Sequence, residues 1–524
     1  MIWTTVLIII YLFVIAYLGF MGYRKTSGTS DYLIAGREIH PYIMAVSYGA
    51  TFISTSAIVG FGGAAGVFGM GLLWLTFLNI LVGIFIAFVF FGNRTRIMGY
   101  HLDAHTFPEF LGRRFNSKFI QVFSGVVIFI GMPLYTAAVL IAGARFVEVN
   151  LNIGFEVSLV IFSLVIAAYV IAGGLKGVMY TDALQGSIMF VGMLVLLIYT
   201  YTTLGGFTAA HQALTDLADK VPEKMIAAGH QGWTSMPAFL STYWWVLVST
   251  IVLGVGIGVL AQPQLVVRFM TVKSKRELNR AVFIGGIFIF MMTGVAFVVG
   301  SLSNVWFFET TGKVSIAAAA GNTDKVIPLF IGSAMPEWFS MLFMLTLLAA
   351  AMSTLSSQFH AIGTALSRDV VQQLWPSTGK DNTVFLARWA ILVAIIAVVL
   401  LGFFLPGSIV AIATAIFFGL CASSFLPMYA LGLYWKGITK AGATSGLVFG
   451  FLGSVFYLFF IHAKEAAGLG ICNAIFGQPT IIKGMINVVD PIIVIFPLTI
   501  VITVVVSLMT KKPDQELIDK LFRK

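Results

Sequence analysis

A chain of 524 residues with 59% apolar side chains, 10% charged side chains and a mean hydropathy of +0.98 is too oily to be a soluble domain of that length. Its apolar runs reach the roughly 20 residues that cross a bilayer, so it reads as an all-α polytopic membrane protein. Two cysteines, Cys421 and Cys472, offer neither a disulfide framework nor metal-ligand spacing, which sets aside redox chemistry and structural zinc. The formal charge of +10 invites a nucleic-acid partner, but its distribution argues for another cause.

In chain order, apolar runs fall at residues 2–22, 43–70, 72–93, 119–144, 154–172, 182–203, 238–267, 281–301, 338–366, 384–404, 408–434, 441–462 and 488–510. They are numbered here as spans 1 to 13, and an odd number puts the two termini on opposite sides. Alternate loops carry Arg24, Lys25, Arg37; Arg94, Arg96, Arg113, Arg114, Lys118; Lys176; Arg268, Lys273, Lys275, Arg276, Arg280; Arg368, Lys380, Arg388; Lys436, Lys440; and Lys511, Lys512, Lys520, Arg523, Lys524. That is 24 of the 31 basic residues on one side. Cytoplasmic loops retain Lys and Arg, so the N-terminus is expected outside and the C-terminus in the cytoplasm of a cell membrane. The positive charge is thus a topology signal, and nucleic acid loses its support.

Span 1 lacks a basic stretch before its apolar core and a small-x-small cleavage pattern, and Tyr23-Arg24-Lys25 follows it. It is expected to be a retained span rather than a cleaved signal peptide. After the last span only residues 511–524 remain, a cytoplasmic tail too short for a nucleotide-binding module, and no Walker loop occurs. A single transporter domain covering 1–524 is expected.

Spans 2 and 7 look broken. Span 2 carries Ser47, Tyr48, Gly49, Thr51, Ser54, Thr55 and Ser56, then Gly60, Gly62, Gly63 and Gly66; span 7 has Gly254, Gly256, Gly258, then Gln262-Pro263-Gln264. Such clusters release backbone carbonyls, which a membrane tolerates only where protein or a watery cavity covers them. Span 2 opens one block of five spans and span 7 a second. Five being odd, the second block enters from the opposite side, giving a five-plus-five inverted repeat over 43–203 and 238–434. Span 1 at 2–22 and two C-terminal spans at 441–510 are accessory. Paired broken helices at matching positions point to a midplane solute site.

Span 9 contains Ala349-Ala350-Ala351-Met352-Ser353-Thr354-Leu355-Ser356-Ser357-Gln358. At helical spacing Ala350, Ser353, Ser357 and His360 share a face, with Thr354 on its flank. A small-residue stripe lets another backbone approach, and hydroxyl and carbonyl oxygens are the hard neutral ligands an alkali cation prefers. Helix packing, with each hydroxyl bonded to the carbonyl one turn back, is the competing explanation.

The specific pattern is Gly173-Gly174-Leu175-Lys176-Gly177-Val178-Met179-Tyr180-Thr181-Asp182-Ala183-Leu184-Gln185-Gly186-Ser187-Ile188-Met189: a Gly-Gly turn, then Thr-Asp-x-x-Gln opening the next span. With it stand Asp31-Tyr32-x-x-Ala35-Gly36-Arg37, Thr106-x-x-Glu109-Phe110-x-x-x-Arg114-Phe115, Gln262-x-x-x-x-x-Arg268-Phe269 and Ala350-x-x-Ser353-Thr354-x-Ser356. Together these resemble the sodium:solute symporter family over residues 31–370. Thirteen spans with the N-terminus outside is also that family's arrangement.

The resemblance implies a sodium ion, the coupling ion, between spans 2 and 9. Its ligands would be the backbone carbonyls of Ala50 and Ile53, the Ala350 carbonyl, and the hydroxyls of Ser353 and Thr354. Some members bind a second sodium, for which the matching residues are Asp182, Ser353, Ser356 and Ser357. Substrate is expected beside Ser54, Ala57, Gly60, Phe61, Gly258 and Gln262.

Four further residues have readings of their own. Asp182, at the inner end of span 6, faces the expected ion pathway, and burying its charge costs about 2.5–3.5 kcal/mol on insertion scales; an N-cap beside Thr181 is the alternative. Asp490 reads as an interfacial cap of span 13. Arg145 reads as snorkelling to the surface, with anion attraction as the alternative. His360 reads as a satisfied interior histidine, with proton coupling as the alternative.

Sodium-coupled symport of a small organic solute into the cell by alternating access follows, with the ion favouring one arrangement of the halves. Phe52 stands where proline carriers of the family have an acid, and residues 54–63 look more like the pantothenate and monocarboxylate branches. A small monocarboxylate is therefore expected, with pantothenate or a proline-like amino acid as alternatives. The chain offers no His-Glu-x-x-His and no paired intramembrane acids for an embedded enzyme. Unlike halves in one long chain also suit a carrier better than a passive channel. Expected partners are the solute and the bilayer, with no obligatory protein partner evident.

Overall fold

The computed structural model describes residues 2–24, 29–164, 175–376 and 383–522. Lys25, Lys380, Arg523 and Lys524, counted above among the basic loop residues, lie outside the described residues. Among the described residues the fold is all helical, without strands. Among the described residues nine helices are long and apolar enough to cross a membrane, or ten if the pair Val410–Ser424 and Leu426–Tyr434, bent by 43°, counts as one span. The chain is a multi-pass membrane protein.

That count is coarser than the thirteen runs in the sequence, and the difference has identifiable sources. The second part of span 2 and span 3 fall in one run, Ser56–His101, with π-turns at Ser56–Phe61 and Leu81–Gly92, and the chain turns between them at Gly69, whose backbone is non-helical (φ 66°, ψ −153°). Spans 5 and 6 contribute the apolar helices Phe155–Leu164 and Leu175–Thr203, and the expected Gly173-Gly174 turn falls among residues 165–174, whose placement lies outside what the structure describes.

Span 9 is the helix Glu337–Thr364, and it lies at the centre. It packs against Phe155–Thr203, Lys118–Leu151, Thr383–Phe404 and Pro41–Phe52, and it is buried without interruption from Phe343 to His360. Its alanines and serines allow this, because short side chains let several backbones come close at once. A similar close approach joins Gly300, in the helix Lys275–Thr311, to the Gly62 carbonyl, where an added Cβ would collide with backbone. Gly300→Leu should therefore cost about 1–3 kcal/mol by overpacking, seen as a lower thermal midpoint in detergent.

The basic loops gather at one end of the bundle. Arg37 donates to the Gly99 and Ala104 carbonyls, Arg96 to the Lys273 carbonyl, Arg114 to the Gly432 carbonyl, and Lys176 pairs with Asp31. Gly22 packs on Gly177 and Phe522 lies near Arg114, so the last described residues are at this end while span 1 starts at the other. At the opposite end Trp233 donates to the Gly66 carbonyl, Arg145 and Lys325 both pair with Glu148, and Asp324 accepts from the Ile409 amide.

Candidate functional site

The first broken helix, Pro41–Phe52, stops at Ile53, whose backbone is extended (φ −93°, ψ 98°). The cause is local: the Ser54 hydroxyl accepts from the Ser56 amide at 3.1 Å, competing with helical pairing. Carbonyls at the end of the helix are thereby left for other donors. Ser353 Oγ donates to the Ala50 carbonyl at 2.9 Å and to the Ala350 carbonyl at 3.2 Å. Thr354 Oγ1 donates to the Ala50 and Thr51 carbonyls at 3.3 and 3.2 Å. Five oxygens from two helices thus converge in a fully buried spot. Four of the five expected ligand residues meet there. Ile53 sits at the break itself, and it is the Thr51 carbonyl, missed in the sequence, that reaches Thr354.

The second break is at Gln262 (φ −70°, ψ 117°), and the short helix Pro263–Phe269 follows. Pro263 explains it, since proline disfavours helix at the residue before it and has no N–H to continue the ladder. The restart aims Arg268 inward. Arg268 was counted above with the cytoplasmic loop residues; it is instead 1% exposed and ion-paired with Asp182 at 3.0 Å. Its Nε donates to Ser47 Oγ at 3.0 Å, its Nη2 to Thr51 Oγ1 at 2.6 Å and Ser357 Oγ at 2.7 Å, and its Nη1 to the Gln264 carbonyl at 2.5 Å. Ser47 Oγ donates to Asp182 Oδ2 at 2.7 Å. Such an interior charge is tolerated because it is paired and multiply hydrogen-bonded.

Asp182 is fully buried, so it is no surface cap. Of the residues expected around it, Ser357 joins the cluster through Thr51 and Arg268, whereas Ser356 Oγ turns back to the Ser353 carbonyl at 3.1 Å. Ser47 and Arg268 were missed as members. The signal for Arg268 was present, because a charge six residues after the Gln-Pro break lies within apolar sequence.

The expected substrate residues divide between the two broken helices. Ser54 and Ser56 share a hydrogen bond of 2.7 Å, Gly60 lies against Val410, and Phe61 meets Phe297 at 6.5 Å between ring centroids. Ala57 is buried. On the other side, Gly258 lies against the Phe418 backbone, and the buried Gln262 accepts from Gln264 at 3.3 Å beside Cys421. The helix Val410–Ser424 joins the two sets, and Phe418 stacks on Phe52 at 6.2 Å and meets Tyr135 in a T-shaped contact at 5.2 Å. Neither Phe418 nor Tyr135 was distinguishable in a chain that is 14% aromatic. Gly258→Val should displace Phe418 and cut uptake roughly tenfold, as about 1–3 kcal/mol of overpacking implies. Gly468→Ala, in open space, should leave uptake unchanged.

Access differs between the ends. At the end opposite the basic loops, a cavity of about 830 Å³ is walled by Ala64, Val67, Tyr243, Thr250 and Ala411. At the basic end only about 20 Å³ remains between His105, Thr106, Gln264, Arg268, Ser357 and His360. The helix Phe107–Arg114 beside it is capped by Thr106, whose Oγ1 accepts from the Glu109 amide, while Glu109 accepts from the His105 amide. Glu109 also pairs with Arg113 at 2.6 Å and Arg368 at 2.9 Å. Burial alone would raise the Glu109 carboxyl, but these two arginines hold it below the usual range. His360 packs on Tyr32 at 5.4 Å between centroids, as an interior histidine. Asp490 caps span 13 by accepting from the Ile492 amide at 3.0 Å. Arg145 does not simply reach for the surface; it is largely covered, paired with Glu148 and stacked over Phe155.

The sodium:solute symporter family matches residues 32–450, and the chain belongs to that family, with Na+ as its coupling ion. Across 97% of its length and 93% of the relative's, it is 28% identical to the sodium/proline symporter of Staphylococcus aureus (strain JH9). It matches the sodium/proline symporter of strain N315 to the same degree. Its fold matches the substrate-bound outward-open state of a Na+-coupled sialic acid symporter with a TM-score of 0.73 at 18% identity, over 98% of this chain and 99% of that one. It also matches MHP1, a nucleobase-cation-symport-1 family transporter in a closed conformation with bromovinylhydantoin bound, with a TM-score of 0.50 at 13% identity, over 95% and 99% of the two chains.

Proposed function

We propose that this protein imports a small carboxylate-bearing solute together with sodium, as a secondary active transporter and not an enzyme. The single observation that carries the proposal is the convergence of Ser353 and Thr354 on the Ala50 carbonyl at the break of span 2. A sodium ion between these helices would take the carbonyls of Ala50, Ile53 and Ala350 and the two hydroxyls. Binding there ties the first broken helix to span 9 and favours the arrangement open at the end away from the basic loops. Release on the basic side, taken as cytoplasmic from the charge distribution, lets the halves exchange. The membrane potential contributes about 2.3 kcal/mol per 100 mV to each charge moved.

For the solute, a proline-like amino acid is the first reading, supported by full-length similarity to sodium/proline symporters. A monocarboxylate is the second. Phe52 and Phe418 make an apolar wall, and the buried carboxylate of Asp182 is committed to Arg268, so an ammonium group gains no acidic partner there. Either solute would be held among Ser54, Ala57, Gly60, Phe61, Gly258 and Gln262.

The test is uptake by proteoliposomes of labelled proline, lactate, acetate, pyruvate and pantothenate, with and without an inward sodium gradient. Concentrative uptake of one of them only with the gradient is expected. Gradient-independent equilibration would indicate a passive pore and overturn the proposal.

A further inference from the structure

Spans 12 and 13 pack on each other along a seam of small residues. Gly442, Gly446 and Gly453 of the helix Lys440–Phe460 lie against Ser507, Thr503 and Ile495 of the helix Pro491–Met509, and small residues at such spacing bring two membrane helices into backbone contact. Beside the seam the helix surfaces diverge. A groove of about 1000 Å³ opens there, walled by Ser445, Phe449, Leu452 and Phe456 on span 12 and by Ile502 and Val506 on span 13. Each set recurs at helical spacing and forms one face. From Ser445 to Phe456 the groove runs about 16 Å, the depth of one leaflet. Leu452 and Phe456 are 53% and 50% exposed.

We propose that this groove holds an anionic glycerophospholipid, its acyl chains against the apolar faces and its phosphate on Lys440, Lys511 and Lys512. The two helices touch at the basic end of the bundle, where Thr439 Oγ1 and Thr510 Oγ1 share a hydrogen bond of 2.7 Å. Lys440 follows the first of these residues and Lys511 and Lys512 follow the second, so three ammonium groups start from one point. Lys440 stands one turn before the lining residue Thr444, and Thr510 one turn after Val506. All three lysines are exposed, and among the described residues none of them is in an ion pair. Asp514, the acid next along the chain, instead caps the tail helix Gln515–Leu521 by accepting from the Glu516 amide.

A phosphodiester at this mouth supplies the missing counter-charge at headgroup depth, and basic clusters between membrane helices favour anionic over zwitterionic lipids. The opposite end is built differently. There one lysine, Lys483, adjoins the lining residue Ile482, and Tyr457 closes the groove by donating to the Ile486 carbonyl at 2.7 Å. A second copy of the chain fits the groove less well than a lipid, because a two-fold axis along the membrane normal would bring both lysine clusters to the same end of the interface.

The test is native mass spectrometry of the purified full-length chain in neutral detergent, titrated with phosphatidylglycerol or with phosphatidylcholine of identical acyl chains. One phosphatidylglycerol per chain is expected, held roughly 100-fold more tightly than phosphatidylcholine for three lysines near a membrane surface. Lys440→Gln/Lys511→Gln/Lys512→Gln should remove that preference, and each single substitution should reduce it about fivefold. Lys483→Gln should leave it unchanged, and Leu452→Trp, which fills the groove, should weaken both lipids alike. Equal wild-type affinities would overturn the proposal, as would a preference that survives the triple substitution. A lipid-free dimer that Leu452→Trp splits into monomers would give the groove to a second copy and overturn it too. If the triple variant fails to fold, the wild-type preference and the single substitutions decide.

Discussion

Ser353→Ala combined with Thr354→Ala is expected to abolish sodium-stimulated uptake while leaving folded, membrane-inserted protein. The two hydroxyls are the donors that reach the Ala50 and Thr51 carbonyls in the structure, and they are the proposed side-chain ligands of the ion. A hydrogen bond or contact to a charged group contributes about 1.5–3 kcal/mol. Losing two weakens sodium binding by at least about 3 kcal/mol, or roughly 100-fold. Each single alanine should raise the half-saturating sodium concentration about tenfold. The check is uptake against sodium concentration, with size-exclusion profile and thermal midpoint confirming fold. A double variant that still concentrates solute on a sodium gradient with wild-type half-saturation would remove the ion site proposed between spans 2 and 9.

Breaking the buried pair should have the largest effect on stability. Asp182→Ala or Arg268→Ala alone leaves an uncompensated charge in a site where both partners are at most 1% exposed, and a buried pair broken on one side typically costs about 3–5 kcal/mol. Replacing both should hurt less than the sum of the singles, because neither charge is then stranded. Thermal midpoints of the two singles and the double in detergent make the comparison. Strictly additive losses would mean the two residues do not act on each other. The result also bears on transport, since the same pair sits at the narrow end of the pathway beside Ser357 and Gln264.

Composition and hydropathy by themselves determined that the chain is helical and lives in a bilayer. Local chemistry also put the breaks where they are: Ser54 competes for the Ser56 amide, and Pro263 cannot continue the helix that Gln262 ends. The hydroxyl face of span 9 was legible for the same reason, since helical spacing is a short-range property. How runs join was less legible, because hydropathy does not register a turn as short as the one at Gly69 (φ 66°, ψ −153°) between spans 2 and 3.

Tertiary structure alone decided which side chains share the site. Arg268 meets Asp182 across 86 positions of chain, and Ser353 meets Ala50 across 303. The apolar sequence around Arg268 marks it as an unusual arginine, but no local pattern names the distant partner it meets. Phe418 became a wall between Gly258 and Phe52 only because one helix packs over both broken ones. Hydropathy and periodicity register what each residue prefers. Pairing a charge or closing a cavity depends on which distant segments the packed bundle brings within a few ångströms.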